Sequence, residues 1–399
     1  MVNAPVAKGR RRLPALVFTL GWVSFCNDAA SEMILPLLPA FLLGMGGTRF
    51  DLGLLQGLSE LLLSALKIAS GWLSDHQHRK KPWLIVGYGL SCAVRPLLCL
   101  VLLPWQATLV RSCDRVGKGL RSAPRDALLV DVVAPTDRGA AFGMQRAMDH
   151  GGALTGALLA AVLLWVGFEE RAIFALAVVP GILVMLLLRQ RVHEPEAKMR
   201  QVAGKPVVGE RAQVARLMPF FLVVLLGAFG SGIDLFLLVR ALSLGMPRQA
   251  LPLLWALLHL VRAGLAAPMG ALSDSLSRRR VIACGLGIQA FVMLGFGLVE
   301  DAIYLWPLFA LHGLHAAFTE GAERGYIADL TGAGRRGAVF GVYYAVQGVA
   351  ALAAPLCLSA IWDAHGPLLS FGSSAVLQVL AMVLLLLLVP SSRARSDLA

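Results

Sequence analysis

The chain has 399 residues, of which 57% are hydrophobic and only 15% are charged, and its mean hydropathy is +0.72. Soluble globular domains carry about 25% charged residues, so this composition excludes an ordinary soluble domain and indicates a bilayer protein. The net charge of +12 would suggest nucleic-acid binding in a soluble chain. Here the basic residues lie between apolar runs, and we expect no nucleic-acid partner.

Apolar runs of membrane-spanning length follow one another along the chain. The hydrocarbon core of a bilayer is about 30 Å thick, so one spanning helix needs roughly 20 residues. The runs cover residues 14–44, 52–74, 83–104, 107–130, 139–167, 171–190, 217–245, 250–272, 281–299, 303–328, 338–362 and 367–390. The fourth and the tenth are the least apolar. We predict an all-α integral membrane protein with twelve transmembrane helices.

The first run follows a basic N-terminal stretch, as in a signal peptide. It continues past Phe41, and no small-residue cleavage site ends it. We therefore predict a retained first helix rather than a cleaved leader.

A polar stretch divides the runs into two sets of six. The predicted domains are an N-terminal six-helix bundle at 1–188, a central linker at 189–216 and a C-terminal six-helix bundle at 217–399. The linker, the two termini and the loops on their side of the membrane hold most of the 36 Lys and Arg residues. The loops on the other side hold only Arg49, Arg171 and Arg248. The positive-inside rule then places both termini in the cytoplasm of a cell (inner or plasma) membrane.

Two motifs repeat at nearly one offset. GWLSD at 71–75 with its following basic run matches GALSD at 270–274, an offset of 199, and RGAAFG at 138–143 matches RGAVFG at 336–341, an offset of 198. Such a repeat predicts two related six-helix halves, a known transporter plan with the substrate held between halves near mid-membrane. We expect the motif residues to act as a gate: Gly71, Asp75, Arg79, Gly270, Asp274 and Arg278.

These motifs resemble those of the major facilitator superfamily between helices 2 and 3 and between helices 8 and 9. Arg115-Val-Gly-Lys-Gly119 resembles its second motif. Segments 27–41, 114–128 and 319–330 are similar to those of a poorly characterised bacterial permease group. The resemblance covers the whole chain and implies the superfamily's fold, in which helices 1, 4, 7 and 10 line a central cavity.

The sequence departs from the superfamily pattern at two places. His78 stands where the first motif usually has Gly. The antiporter motif of helix 5 usually has Gly-Pro followed by a Gly pair, whereas this chain has Gly152-Ala-Leu-Thr-Gly156. These departures weaken an assignment to proton-driven efflux.

Ionisable residues within the predicted spans are the candidate site. Each costs at least about 2.5 kcal/mol to insert, so such residues usually face the bundle interior and carry function. Asp28 and Glu32 lie one turn apart on one face of the first helix. Two carboxylates this close in a low dielectric are suited to take up and release a proton. The other interpretation is a permanent ion pair with arginines of the fourth helix.

The predicted site residues fall into two sets. Those predicted to line the cavity and couple protons are Asp28, Glu32, Glu60, Asp234, Glu320 and Glu323. Those predicted to hold an anionic substrate group or to act as counter-charges are Arg115, Lys118, Arg121, Arg125, His315 and Arg324. Arg121 and Arg125 also fit a second interpretation, as positive-inside residues.

Other residues have a purely structural interpretation. Arg146 is interpreted as the partner of Asp149 on its own helix, which would stabilise packing. Lys67 is interpreted as the neutralising partner of Glu60. Trp105 and Trp362, near helix ends, are interpreted as membrane-interface anchors.

The sequence as a whole predicts a secondary active transporter, not an enzyme. It would move a small polar, zwitterionic or anionic organic solute by alternating access with proton coupling, as symport or antiport. The chain lacks a GxxxxGK[ST] loop and Cys pairs at metal-site spacing, so we expect no ATP, cofactor or metal. The expected partners are a small-molecule substrate, protons and lipid, around a monomer. A lipid-modifying membrane enzyme and a non-transporting receptor are the alternatives.

Overall fold

The computed structural model describes residues 13–76, 79–134, 137–194, 217–331 and 336–390, and every regular element in these ranges is helical. We number the long helical segments in chain order. The N-terminal half has α1 (Ala15–Gly44), α2 (Arg49–His76), α3 (Lys81–Leu100), α4 (Pro104–Val132), α5 (Arg138–Trp165) and α6 (Glu170–Arg191). The C-terminal half has α7 (Met218–Ser243), α8 (Leu251–Ser275), α9 (Arg278–Leu298), α10 (Leu305–Leu330), α11 (Arg336–His365) and α12 (Pro367–Leu388).

Ten of the described segments are long and apolar enough to cross a membrane. The two others are α4 and α10, the least apolar of the predicted runs. The prediction of an all-α multi-pass membrane protein is confirmed, and the count of twelve crossings stays a prediction. The domain boundaries also stay a prediction, because linker residues 195–216 lie outside the described part and α6 runs to Arg191.

Proline and glycine interrupt two of the segments that carry acidic residues. A 3-10 turn at Leu35–Leu37, with Pro36 inside it, follows the first part of α1, because proline cannot donate to the helix ladder. Segment α7 is broken after Ser231, so that Asp234 begins its second part. A carboxylate there is favoured by the positive end of the helix dipole.

Two glycines let α5 touch the backbone of α1. A Cβ atom at Gly152 would lie 2.2 Å from the carbonyl oxygen of Phe25, and one at Gly156 would lie 2.2 Å from that of Ala29. A side chain at either position would push the two helices apart. The glycines of the altered superfamily motif therefore fix the position of α1, the helix that carries Asp28 and Glu32.

The hydrophobic cores show that the molecule is closed at one end. At what we call the sealed end, a single core joins both halves and includes Leu37, Phe41, Phe236 and Trp255. The opposite end, which we call the terminal end, is where the described part of each half begins, at Leu13 and at Leu217. Each half there has a core of its own. The two halves therefore meet at the sealed end and separate towards the terminal end.

Polar contacts reinforce the seal between the halves. Arg49 at the start of α2 forms an ion pair with Asp363 of α11 at 2.5 Å. The guanidinium of Arg49 also lies over the ring of Trp362, 5.1 Å from its centre. Trp362 is 5% exposed and packs against Phe371. The interpretation of Trp362 as a membrane-interface anchor is therefore wrong, because the side chain points into the joint between the halves.

Two ion pairs at the terminal end, one in each half, follow the internal repeat. Lys80 pairs with Asp131 at the end of α4. Arg278 pairs with Asp329 at the end of α10 at 2.7 Å. Both members of the second pair lie 198 positions after those of the first. Arg79, which the sequence motif matches to Arg278, is exposed, so Lys80 takes the equivalent place. The side chains of Asp75 and Asp274 lie outside the described part, and their gating role stays a prediction.

Candidate functional site

One polar cavity of about 620 Å³ lies between the halves. All twelve charged or histidine residues that the sequence singled out for coupling and substrate contacts line it. They come from α1, α2, α4, α7 and α10, and residues of α3, α5, α8, α9 and α11 also line the wall. The cavity continues towards the terminal end through a gap of about 450 Å³. This gap lies between α4 and α5 on one side and α10 and α11 on the other. The cavity is therefore reached from the terminal end.

The two carboxylates of α1 have different surroundings. Glu32 is buried and accepts a hydrogen bond from the indole Nε1 of Trp255 on α8 at 2.8 Å, and His259 Nε2 lies 3.8 Å from the same oxygen. Asp28 accepts a hydrogen bond from the Asn27 amide at 2.9 Å. Neither carboxylate is ion-paired with an arginine of α4 within the described residues, so that interpretation is wrong. Glu32 instead bonds across the halves.

The charged stripe of α4 divides into two groups. Asp114 lies in the protein interior between Arg95 at 2.9 Å and Arg111 at 3.0 Å, a triad with almost no exposed surface. The next turn faces the cavity, where Arg115 pairs with Glu60 at 3.1 Å.

Lys67 and Glu60 face the same cavity but make no direct ion pair within the described residues. The Lys67 ammonium instead lies over the ring of Tyr344 on α11, 5.3 Å from the ring centre. Arg115 is the direct partner of Glu60, and the interpretation of Lys67 as a neutralising charge for Glu60 stays a prediction.

Three further cations of α4 face the cavity with different degrees of restraint. Arg121 donates to Ser91 at 2.6 Å and lies over the Tyr88 ring at 4.3 Å, so it is held against α3. Arg125 contacts Asp126 at 3.1 Å and Asp149 at 3.6 Å. Lys118 forms no ion pair within the described residues and is the least restrained of the three.

Arg146 of α5 reaches the other half. Its guanidinium lies 3.5 Å from Glu320 of α10. Asp149, one turn away, instead contacts Arg125 and the Gln145 amide. The interpretation of Arg146 and Asp149 as a packing pair is therefore wrong, because this face of α5 is turned towards the C-terminal half.

In the C-terminal half, His312 joins three segments. Its Nε2 lies 3.0 Å from Asp234 of α7, and its Nδ1 lies 3.0 Å from Gln289 of α9. His315, one turn along α10, donates from Nδ1 to the Gly285 carbonyl at 2.9 Å, since the carbonyl can only accept. The histidines of α10 thus attach it to its neighbours.

The last predicted carboxylate, Glu323, has an uncharged partner. It accepts a hydrogen bond from the Tyr343 hydroxyl of α11 at 2.8 Å, and Gln347 donates to that hydroxyl at 2.9 Å.

The sequence did not predict Trp255 and Tyr343 as site residues, because an uncharged aromatic residue in an apolar run carries no sequence signal. Within the described residues, no group of three or more His, Cys, Asp or Glu is placed to hold a metal.

A polar cavity between two related helical halves, closed at one end and reached from the other, is the architecture of a secondary membrane transporter. The family model of the Major Facilitator Superfamily matches residues 20–267 and 220–398, and the chain belongs to this superfamily.

Relatives by sequence agree with the family. The chain is 31% identical to an uncharacterized MFS-type transporter of Methanocaldococcus jannaschii, over 94% of this chain and 95% of the relative. It is 24% identical to the multidrug resistance protein MdtH of Cronobacter sakazakii, over 77% of each chain.

Solved structures share the fold. The nucleoside transporter NupG is similar with a TM-score of 0.77 and 14% identity, over 92% of this chain and 99% of that one. A peptide transporter of the POT family is similar with a TM-score of 0.78 and 14% identity, over 95% of each chain. At these identities the similarity defines the fold alone.

Proposed function

We propose that this protein is a proton-coupled secondary transporter that carries a small polar organic solute by alternating access. The observation that carries the proposal is the charged cavity between the halves, sealed at one end by a core that both halves share. In the proposed orientation the terminal end, with both chain termini, lies in the cytoplasm of the inner or plasma membrane. The structure then corresponds to the inward-facing state.

The wall of the cavity favours an ionised solute. Eight Lys or Arg side chains and eight Asp or Glu side chains face it, with four histidines. Charged groups on a wall of this kind can replace the hydration shell of a polar solute, whereas an apolar solute gains nothing from them. Structures with this fold that are named as a nucleoside transporter and as a transporter bound to a conjugated peptide support a polar solute.

Proton coupling is proposed to act through Glu32. An ionised carboxylate accepts a hydrogen bond roughly twice as strong as a neutral acceptor does. Protonation of Glu32 would therefore weaken the bond from Trp255 that holds α8 to α1 at the sealed end. Opening of the sealed end would then depend on the proton, as coupled transport requires. Asp28, one turn nearer the terminal end, would exchange the proton with the open cavity.

The proposal is tested in two stages. A metabolite panel is screened by thermal shift on the purified protein, and each hit is followed by flux into proteoliposomes with and without a pH gradient. We expect gradient-driven flux in the wild type and its loss in Asp28→Asn and Glu32→Gln. Glu300→Gln, a change in an exposed loop, is the matched control and should keep flux. Flux that no gradient drives, or that survives in both cavity variants, would refute proton coupling.

A further inference from the structure

A side pocket of about 170 Å³ opens from the cavity between α5, α8 and α10. Three arginines face it: Arg146 from the N-terminal half, and Arg262 and Arg324 from the C-terminal half. Glu320 is its only carboxylate among the described residues, and His150 borders it as well. Gly270, from the repeated motif at the end of α8, also lies in its wall.

The side chains that line the pocket compensate the three guanidinium groups only in part. Arginine stays protonated under all ordinary conditions, so the pocket holds three positive charges. Glu320 supplies one negative charge to all three arginines, and its direct contact is with Arg146 at 3.5 Å. The Nε atoms of Arg262 and Arg324 are buried and have no hydrogen-bond partner in the described part of the chain. The pocket therefore has an excess of two positive charges.

Neighbouring carboxylates lie outside the lining of the pocket and reduce this excess only in part. Asp234 of α7 also lies near Arg262, but His312 contacts it at 3.0 Å. Glu323 of α10 is bonded to the hydroxyl of Tyr343 and does not line the pocket. The cavity as a whole is balanced, with equal numbers of acidic and basic side chains. The imbalance is thus local to the three arginines.

We propose that Arg146, Arg262 and Arg324 form an oxyanion site that binds a carboxylate or phosphate group of the transported solute. A planar guanidinium donates paired hydrogen bonds to such a group, and a partly buried cation without a counter-charge is costly to maintain. The assignment rests on the proposed transport function, because it names the solute as the ligand. It also predicts that the solute joins the halves, since Arg146 belongs to one half and the other two arginines to the second.

An anionic lipid headgroup offers the same chemistry, so the test separates the two sources. The full-length protein in neutral detergent is titrated with inorganic phosphate against chloride at equal ionic strength, and its melting temperature and phosphate affinity are measured. A second arm compares nanodiscs of phosphatidylcholine with nanodiscs that contain phosphatidylglycerol.

We expect phosphate to raise the melting temperature of the wild type by several degrees at saturation. Arg262→Gln and Arg324→Gln should weaken phosphate binding by about tenfold or more, since each removes a charged hydrogen-bond donor. Arg280→Gln removes an exposed arginine at the start of α9 and should bind as the wild type does. Arg262→Lys keeps the charge and tests the site even if the Gln variants do not fold. It should bind phosphate more weakly than the wild type.

The proposal is overturned if phosphate gives no shift beyond chloride, or if the arginine variants that fold bind it as tightly as the wild type. Stabilisation by phosphatidylglycerol without any by inorganic phosphate would also overturn it, and would assign the site to a lipid headgroup. Gradient-driven flux that persists alongside either result would leave the transport function standing, so the two failures are distinguishable.

Discussion

The indole of Trp255 on α8 donates a hydrogen bond to the carboxylate of Glu32 on α1 at 2.8 Å, joining the two halves beside the cavity. Trp255 is 3% exposed and belongs to the core that closes the sealed end. One residue pair thus connects a candidate proton-binding carboxylate with the contact surface that has to separate for the cavity to open on the other side.

Trp255→Phe should loosen the sealed end. The change keeps most of the apolar volume and removes the bond to Glu32. A hydrogen bond to a charged group contributes about 1.5–3 kcal/mol, so the state open at the sealed end should gain roughly tenfold or more in population. The measurement is labelling of a cavity cysteine from the side of the sealed end. Trp105→Phe, at a 58% exposed residue, is the control and should not change labelling. Equal labelling in both variants would contradict the role of Trp255.

Gly156→Ala should destabilise the N-terminal half. The new Cβ atom would lie 2.2 Å from the backbone oxygen of Ala29, so α1 and α5 have to move apart. Overpacking of this kind costs about 1–3 kcal/mol. Gly143→Ala on the same helix meets no atom within 4 Å and is the matched control. Thermal unfolding in detergent should show a lower melting temperature for the first variant alone. Similar melting temperatures for both would mean that the α1–α5 contact is less tight than described.

Asp114→Asn should be among the most damaging single substitutions. It leaves the guanidinium groups of Arg95 and Arg111 without the carboxylate that lies between them in the protein interior. Breaking a buried ion pair costs about 3–5 kcal/mol. Asp126→Asn removes a carboxylate that is 47% exposed and should have a small effect. Yield of folded protein and melting temperature are the measurements. A variant as stable as the wild type would show that water reaches the triad.

The fold was predictable because its signals are periodic and long. Twelve apolar runs, a repeat at offsets of 198 and 199 and the superfamily motifs together defined the helices, the two halves and the superfamily. The runs agree with the observed segments to within a few residues at most ends. Residues such as Asp28 and Glu320 could be placed in a common cavity because an ionisable group avoids lipid and therefore faces the bundle interior.

The partners of those residues were not predictable. Spacing along one helix suggested Asp149 for Arg146, but the guanidinium points across to Glu320, and spacing gave no sign of the contact between Lys67 and Tyr344. Which neighbour a side chain meets depends on helix rotation and on the approach of the halves, and one sequence contains no record of either. Trp255 could not be predicted as a partner for the same reason.

The central claim is that the cavity between the halves opens to the two sides of the membrane in turn. The direct measurement is labelling of Ser122→Cys, a cavity position, by a membrane-impermeant maleimide in vesicles of each orientation, with the six native cysteines replaced. Arg49→Cys and Asp363→Cys are added as a removable disulfide across the sealed end, and labelling is read on the peptide that contains position 122, so that the thiols at 49 and 363 do not contribute. The account predicts labelling from both sides when this disulfide is reduced, and from the terminal side alone when it is formed. Labelling from one side only in the reduced protein, or labelling that the disulfide does not change, would contradict it.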